Sequence, residues 1–211
     1  MTIRLTLLCV RPTHTTFGPA PLSEHDLDGA GTSLASLPAH PAVLMSPSVA
    51  SALVATALGL QAAPEPALRD VDYGTWRGRT VADVVAADPY GYSRWLTDPD
   101  AAPHGGETTR RLCDRIGYWL DGLRPDAART LAIVEAAVMQ AVLVHALSAP
   151  LRAFWKLPVP PLRTVDLTCR DGVWNIRTAY VSSVRDLRQS PSVPLTTLTA
   201  PGVVSHHGIH V

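Results

Sequence analysis

Lysine is almost missing from this chain: Lys156 is the only one among 18 basic residues. Cysteine is sparse, with Cys9, Cys113 and Cys169 only. An odd count without close spacing excludes a disulfide framework and a zinc knuckle. Charge of either sign is thin, at 17% of residues, and it balances, with 18 Lys plus Arg against 18 Asp plus Glu. A neutral balance gives no general pull on nucleic acid or on an anionic membrane. Long apolar runs are also lacking. Met1 to Val10 is too short for a secretory leader. The stretch from Leu131 to Leu151 is broken by Glu135, Gln140 and His145, so it reads as a strand running into a helix rather than a membrane span. These absences lead us to expect a soluble, cytoplasmic protein.

Apolar residues, at 46%, are ample for a packed core, which argues against disorder. Leu5 to Arg11 reads as a buried strand, followed by a breaker-rich loop through Pro21. Ala42 to Met45 reads as a second strand, and Ser46-Pro47 opens a helix over Ser48 to Leu60. A short helix is expected over Thr80 to Ala87, after a segment holding Asp70, Asp72, Tyr73, Gly74 and Trp76. Asp98 to Gly106 is rich in proline and glycine and reads as a loop. Thr108 to Leu123 carries Leu112, Ile116, Trp119, Leu120 and Leu123 at helical spacing. Leu131 to Val134 is a third strand, with its helix over Ala137 to Leu147. Val165 to Cys169 and Val173 to Arg177 form a hairpin about Arg170-Asp171-Gly172. From Ser182 to Val211 the chain reads as an irregular tail beyond a single domain of residues 1 to 181.

Strand and helix alternate, so the expected fold is an α/β three-layer sandwich around a mostly parallel central sheet. Sites in such folds lie at the carboxyl ends of the strands. The loops beginning at Arg11, Ser46 and Glu135 should therefore converge.

The order of segments from about Thr6 to Thr178 resembles the histidine phosphatase superfamily, the phosphoglycerate mutase-like proteins. Its opening Arg-His-Gly-Glu-Thr is matched by Arg11-Pro12-Thr13-His14-Thr15. Its Ser-Pro-x-x-Arg segment is matched by Ser46-Pro47-Ser48-Val49-Ala50. Leu68-Arg69-Asp70 through Gly74-Thr75-Trp76-Arg77-Gly78 fits the family's Leu-Arg-Glu-x-x-x-Gly-x-Trp-x-Gly closely, and Gly105-Gly106-Glu107-Thr108 fits its Gly-Gly-Glu-Ser. The family strand ending Val-x-His is matched by Ile133-Val134-Glu135. The resemblance implies a phosphoglycerate mutase-like fold. In that family one histidine becomes phosphohistidine, a second histidine and two arginines hold the phosphoryl oxygens, and a carboxylate supplies a proton. Here Pro12 stands at the nucleophile, Ala50 at the second arginine and Glu135 at the second histidine. Arg11 and a carboxylate at Asp70 remain. At an effective dielectric near 20, a unit charge about 4 Å away is worth roughly 4 kcal/mol, so exchanging an attraction for a repulsion should abolish binding of phosphate monoesters.

Each candidate residue carries two readings. Arg11 either holds an anionic ligand or pairs with Glu135 across the pocket floor. Glu135 is a general base in a remodelled site, or the carboxylate that Arg11 neutralises. Asp70 is the inherited proton donor or an organiser of its loop. His14 is a displaced nucleophile or an ordinary loop histidine. Glu107 either binds a ligand or caps the helix that follows, and His104 beside it either faces the pocket or does not. Trp76 should pack. His206, His207 and His210 have ligand-like spacing, but without a supporting Cys or carboxylate they point to no metal site.

The sequence thus leads us to expect a degenerate histidine phosphatase without phosphohistidine chemistry, whose cleft binds a small molecule or a protein partner, a second copy of the chain included. No cofactor, metal, nucleic acid or membrane is expected. The alternative is an enzyme refitted for acid–base chemistry such as a lyase, isomerase or dehydratase step. A phosphatase working through His14 is a third reading.

Overall fold

Strand β1, Thr2–Cys9, sends alternate side chains to opposite sides, as extended backbone requires. Leu5, Leu7 and Cys9 enter one apolar cluster and Leu8 the other. Strand β4, Thr130–Val134, does the same, with Ala132 and Val134 in the first cluster and Leu131 and Ile133 in the second. Both strands are covered on both faces, which is why they read as near-continuous apolar runs. The computed structural model describes residues 2–10, 16–18, 42–124, 129–159 and 164–177.

These strands belong to one six-stranded sheet of order β3-β2-β4-β1-β5-β6, where β2 is Ala42–Met45, β3 Ala63–Pro64, β5 Thr164–Arg170 and β6 Val173–Arg177. Pairings β2 with β3, β2 with β4 and β1 with β4 are parallel. The β1–β5 and β5–β6 pairings are antiparallel. The sheet is thus mixed, with a parallel half that carries the site. Asp171 (φ 51°) and Gly172 (φ 78°) close the β5–β6 hairpin. Two consecutive left-handed residues match the twist of a two-residue hairpin, and an Asp-Gly pair supplies them.

Helix α1, Val49–Ala57, packs Ala50, Val54 and Ala55 into the second cluster. Its cap is Ser48, whose side chain accepts from Ser51 N, so the helix starts one residue later than the sequence suggested and stops earlier. Helix α2, Val81–Ala87, begins with a full capping box between Thr80 and Asp83. Helix α3, Pro89–Thr97, was not anticipated. It is built on Asp88, which accepts from Gly91 N, with proline at the first helical position, where no amide hydrogen is needed. Helices α4, Thr109–Asp121, and α5, Ala136–Ala146, cover the first cluster. Among the described residues no helix is long and apolar enough to cross a membrane.

An aromatic knot closes one side of this core. Trp76 lies 5.1 Å from Phe17, 5.6 Å from Trp95 and 5.0 Å from His104, ring centre to ring centre. Gly74, at φ 46°, brings the chain against the His104 carbonyl, and a Cβ there would collide with that oxygen. The compact unit runs from Met1 to Tyr180, and the expected tail from Ser182 falls outside the described residues.

Candidate functional site

The parallel register aligns three strand ends. Val10 N donates to Val134 O at 2.9 Å, and Ser46 N donates to Ile133 O at 2.9 Å. Val10, Ser46 and Glu135 therefore stand side by side where β1, β2 and β4 finish. They line a cleft of about 630 Å³, together with the Ser48–Ala50 start of α1 and the Arg69–Tyr73 loop. The three positions that the family resemblance assigns to the second arginine, the second histidine and the proton-donating carboxylate are Ala50, Glu135 and Asp70. All three line this one cleft.

Glu135 occupies the residue between β4 and α5, in extended conformation, and its side chain makes no cap for its own helix. Its Oε1 instead accepts from Ser48 Oγ at 2.5 Å and from Ser51 Oγ at 3.4 Å. Its Oε2 is buried with no partner among the described residues, and so is Ser46 Oγ. Such buried orphan atoms are few in native proteins, and each calls for a water, ion or ligand. The expected pair between Arg11 and Glu135 falls outside the description, because Arg11 and His14 both lie outside the described residues. The partners that the structure does give Glu135 are serine hydroxyls.

Asp70 is half-buried on the facing loop, where its Oδ1 accepts from Val71 N at 2.8 Å. Burial, reinforced by the Glu135 carboxylate, pushes its pKa up to about 7, against the opposing pull of the Val71 amide, Arg115 and Arg77. Tyr73, in the same lining, is pushed well above its ordinary value by burial and by the carboxylates of Asp70 and Glu135. The remaining charges among the described residues of the cleft wall are occupied. Arg77 Nη2 holds Asp72 at 3.0 Å, and Arg69 Nη2 lies 3.3 Å from Glu107.

Glu107 does not cap α4. The cap is Thr108, whose hydroxyl accepts from Arg111 N at 3.1 Å, because its shorter side chain sits at the turn. Glu107, buried, accepts a two-pronged contact from Arg115, Nε to Oε1 at 3.0 Å and Nη2 to Oε2 at 2.7 Å. Arg115 Nη1 also donates to the carbonyls of Ala67 at 2.6 Å and Arg69 at 3.0 Å. This fork fastens the loop that carries Asp70 onto α4. His104 is buried in the aromatic knot, with Nδ1 accepting from Gly106 N at 3.0 Å, and burial lowers its pKa. Neither Glu107 nor His104 lines the cleft, whereas Asp70 and Glu135 do. Trp76 packs, as its sequence context implied. Among the described residues there is no cluster of three or more His, Cys, Asp or Glu side chains fit to hold a metal.

Sequence reasoning placed Ser46 at a converging loop but gave its side chain no role, and it overlooked Ser48, Ser51 and Arg115. The serine spacing from 48 to 51 was readable as a helix cap, but nothing in it announced a carboxylate 87 residues away.

The model of the histidine phosphatase superfamily (branch 1) matches residues 39–181, and the chain belongs to that superfamily. Among curated relatives, a bifunctional protein of Mycobacterium tuberculosis is 38% identical over 73 residues, which are 30% of this chain and 20% of that protein. Phosphoserine phosphatase 1 of Hydrogenobacter thermophilus is 28% identical over 105 residues, 48% of this chain and 50% of the relative. The chain thus matches from a fifth to a half of the length of these relatives. In three dimensions it is similar to a putative alpha-ribazole-5'-P phosphatase of Escherichia coli, with a TM-score of 0.72 at 20% identity, covering 83% of this chain and 95% of that one. A mycobacterial glucosyl-3-phosphoglycerate phosphatase aligns with a TM-score of 0.68 at 20% identity, covering 84% and 98%. At these identities the likeness establishes the phosphoglycerate mutase-like fold.

Proposed function

We propose that this chain is a histidine phosphatase-fold protein that no longer forms phosphohistidine and keeps its cleft for binding a small molecule or a protein partner. One observation carries the reading. Where the family resemblance calls for an imidazole on the phosphoryl oxygens, the cleft holds Glu135, braced by Ser48 and Ser51 and electrostatically coupled to Asp70. A nucleophile and a preorganised positive pocket are the two requirements of this kind of phosphoryl transfer. In sequence, Pro12 removes the first, while Ala50 and Glu135 undo the second. A cytoplasmic location belongs to the same proposal and is consistent with three buried cysteines that stay unbridged.

A second reading draws on Asp70. A carboxyl titrating near neutrality beside another carboxylate is a ready proton donor next to a ready acceptor. That arrangement supports an acid–base enzyme as the alternative, and the open volume is of a size that admits a substrate.

The test of the first reading is direct. The purified chain should release no phosphate from p-nitrophenyl phosphate or phosphoglycerate above a heat-killed control. It should also retain no acid-labile phosphate after quenching. Turnover that disappears on His14→Ala would overturn the proposal in favour of a displaced nucleophile. Turnover of a non-phosphorylated metabolite found by a thermal-shift screen, lost in both Asp70→Asn and Glu135→Gln, would establish the second reading.

A further inference from the structure

Asp70 and Glu135, two of the three carboxyl groups in the cleft lining, have no ion pair with a cation among the described residues. Arg77 is engaged by Asp72, and Arg69 reaches out to Glu107. Asp70 faces Glu135, with Arg115 and Arg77 as the cations in electrostatic reach, and Arg115 is already held by Glu107 and two carbonyls. Acidic residues alone do not make a site, but two further atoms point to a ligand. Ser46, fully buried in the cleft wall, has an Oγ with no partner among the described residues, and Glu135 Oε2 is buried and equally unpartnered. The β2–β4 register sets these two residues side by side, since Ser46 N bonds the carbonyl of Ile133, two residues before Glu135.

The wall therefore offers three acceptors, Glu135 Oε2, Ser46 Oγ and the Asp70 carboxyl, and among its described residues three carboxyl groups stand against two arginines. A primary ammonium is the complementary group: three N–H donors, no acceptor and one positive charge. A phosphate offers the opposite of each. Val10, Phe17, Val49, Val71 and Ala137 give the same lining an apolar part beside its polar one, so the molecule that bears the ammonium should have an apolar body.

We propose that the cleft binds a small primary amine in its protonated form, with the ammonium held by Glu135, Asp70 and Ser46. This rests on the reading that the phosphate site has been abandoned. Binding would draw the Asp70 proton off, because a cation beside a carboxyl favours its ionised form. Affinity should therefore rise with pH through neutrality, and complex formation should release protons below about pH 7.

The experiment titrates the full chain by calorimetry at pH 8 with 2-phenylethylamine, its neutral analogue 2-phenylethanol, its trimethylammonium analogue and phenyl phosphate. The amine should bind about tenfold or more tightly than the alcohol and the trimethylated cation. At pH 6.5, buffers of different ionisation heat should report proton release. Glu135→Gln and Ser46→Ala, each confirmed folded by circular dichroism, should weaken the amine by a larger factor than they weaken the alcohol. Equal affinity for amine and alcohol overturns the proposal on the wild-type chain, whatever the variants do. Equal affinity for amine and trimethylated cation overturns the hydrogen-bonding part. Preference for phenyl phosphate overturns it as well, and its hydrolysis would in addition defeat the reading on which the proposal rests.

Discussion

Ser48 uses one hydroxyl for two tasks. It donates to Glu135 Oε1 at 2.5 Å, and it accepts from Ser51 N at 3.0 Å. The first bond is short, as expected for a hydroxyl facing a charged acceptor. The second is an ordinary helix cap. Together they join the β2–α1 junction to the β4–α5 junction, so the position of the cleft carboxylate is fixed by the start of a different helix. Ser48→Ala removes both bonds at once. A cap is worth about 0.5–2 kcal/mol and a hydrogen bond to a charged group about 1.5–3 kcal/mol, so the summed loss should reach about 2–5 kcal/mol in urea unfolding. Ser48→Asn, which can both cap and donate, should recover most of it. A loss for alanine below about half a kcal/mol would show that this bond contributes nothing net.

The pH dependence of stability should carry the mark of Asp70. Its folded pKa, about 7, lies above the ordinary value of 3.8, so the folded state holds a proton that the unfolded chain has released. Between these two values, stability should fall as pH rises, and above about 7 the penalty should be complete. Asp70→Asn cannot ionise and escapes this penalty. At pH 8 the variant should be more stable than the wild type by about 1–3 kcal/mol, allowing for solvent access to a half-buried group. The advantage should vanish toward pH 4. Denaturant melts at intervals across that range check it, and an advantage that grows on acidification would reverse the assigned sign.

Much of the scaffold was legible because local and global signals agreed. Ala42–Met45 was read to the residue, the Asp171-Gly172 turn specified its hairpin, and the periodic apolar stripe of α4 marked a core-facing helix. Helix α3 escaped notice because Pro89, Gly91 and Ser93 dilute its apolar pattern, and its tertiary support is the burial of Trp95 in the aromatic knot. In the site, Asp70 and Glu135 were found because motif order placed them. The Glu107–Arg115 fork could not be found that way. Arg115 sits in a helix rich in charged residues and looks solvated by pattern, and only the folded chain shows it turned inward, 13% exposed, toward a carboxylate eight residues back.

That fork has a consequence for the loop it grips. Arg115 spends its whole guanidinium on Glu107 and on the carbonyls of Ala67 and Arg69. Arg115→Ala leaves Glu107 buried with only the exposed Arg69 to neutralise it, and should cost about 3–5 kcal/mol. Arg115→Lys keeps the charge but cannot reproduce the planar fork, so it should be intermediate. The local readout is hydrogen exchange: amides of Leu68 to Val71 should lose protection in Arg115→Lys before the β1 and β4 amides do. Uniform loss across the chain would mean that the fork stabilises the whole domain rather than holding this loop.

Installing the family's site residues tests the proposed absence of phosphohistidine chemistry. On the sequence resemblance, three positions depart from the family pattern: Pro12 at the nucleophile, Ala50 at the second arginine and Glu135 at the second histidine. The structure places Ala50 and Glu135 in the same cleft wall, so their effects on a phosphoryl group are coupled rather than independent. Pro12→His alone restores a nucleophile but faces a pocket in which Glu135 repels the substrate. Glu135→His alone removes that repulsion but strands the hydroxyls of Ser48 and Ser51, which now point at a carboxylate oxygen. Ala50→Arg alone must place a guanidinium where a methyl group is 7% exposed, and without the other changes it would be drawn to Glu135 instead of to substrate. Groups that act as a unit contribute non-additively, so single restorations should each leave phosphate release at background. Activity should first emerge in the variant carrying all three replacements, and it should be accompanied by acid-labile phosphate on the imidazole that Pro12→His introduces. The measurement is phosphate release and phosphohistidine trapping across the single, double and triple set, each checked for folding by thermal melt. Appreciable turnover in Pro12→His alone would show that the carboxylate at 135 does not repel phosphate, and the electrostatic argument for the abandoned site would fall with it.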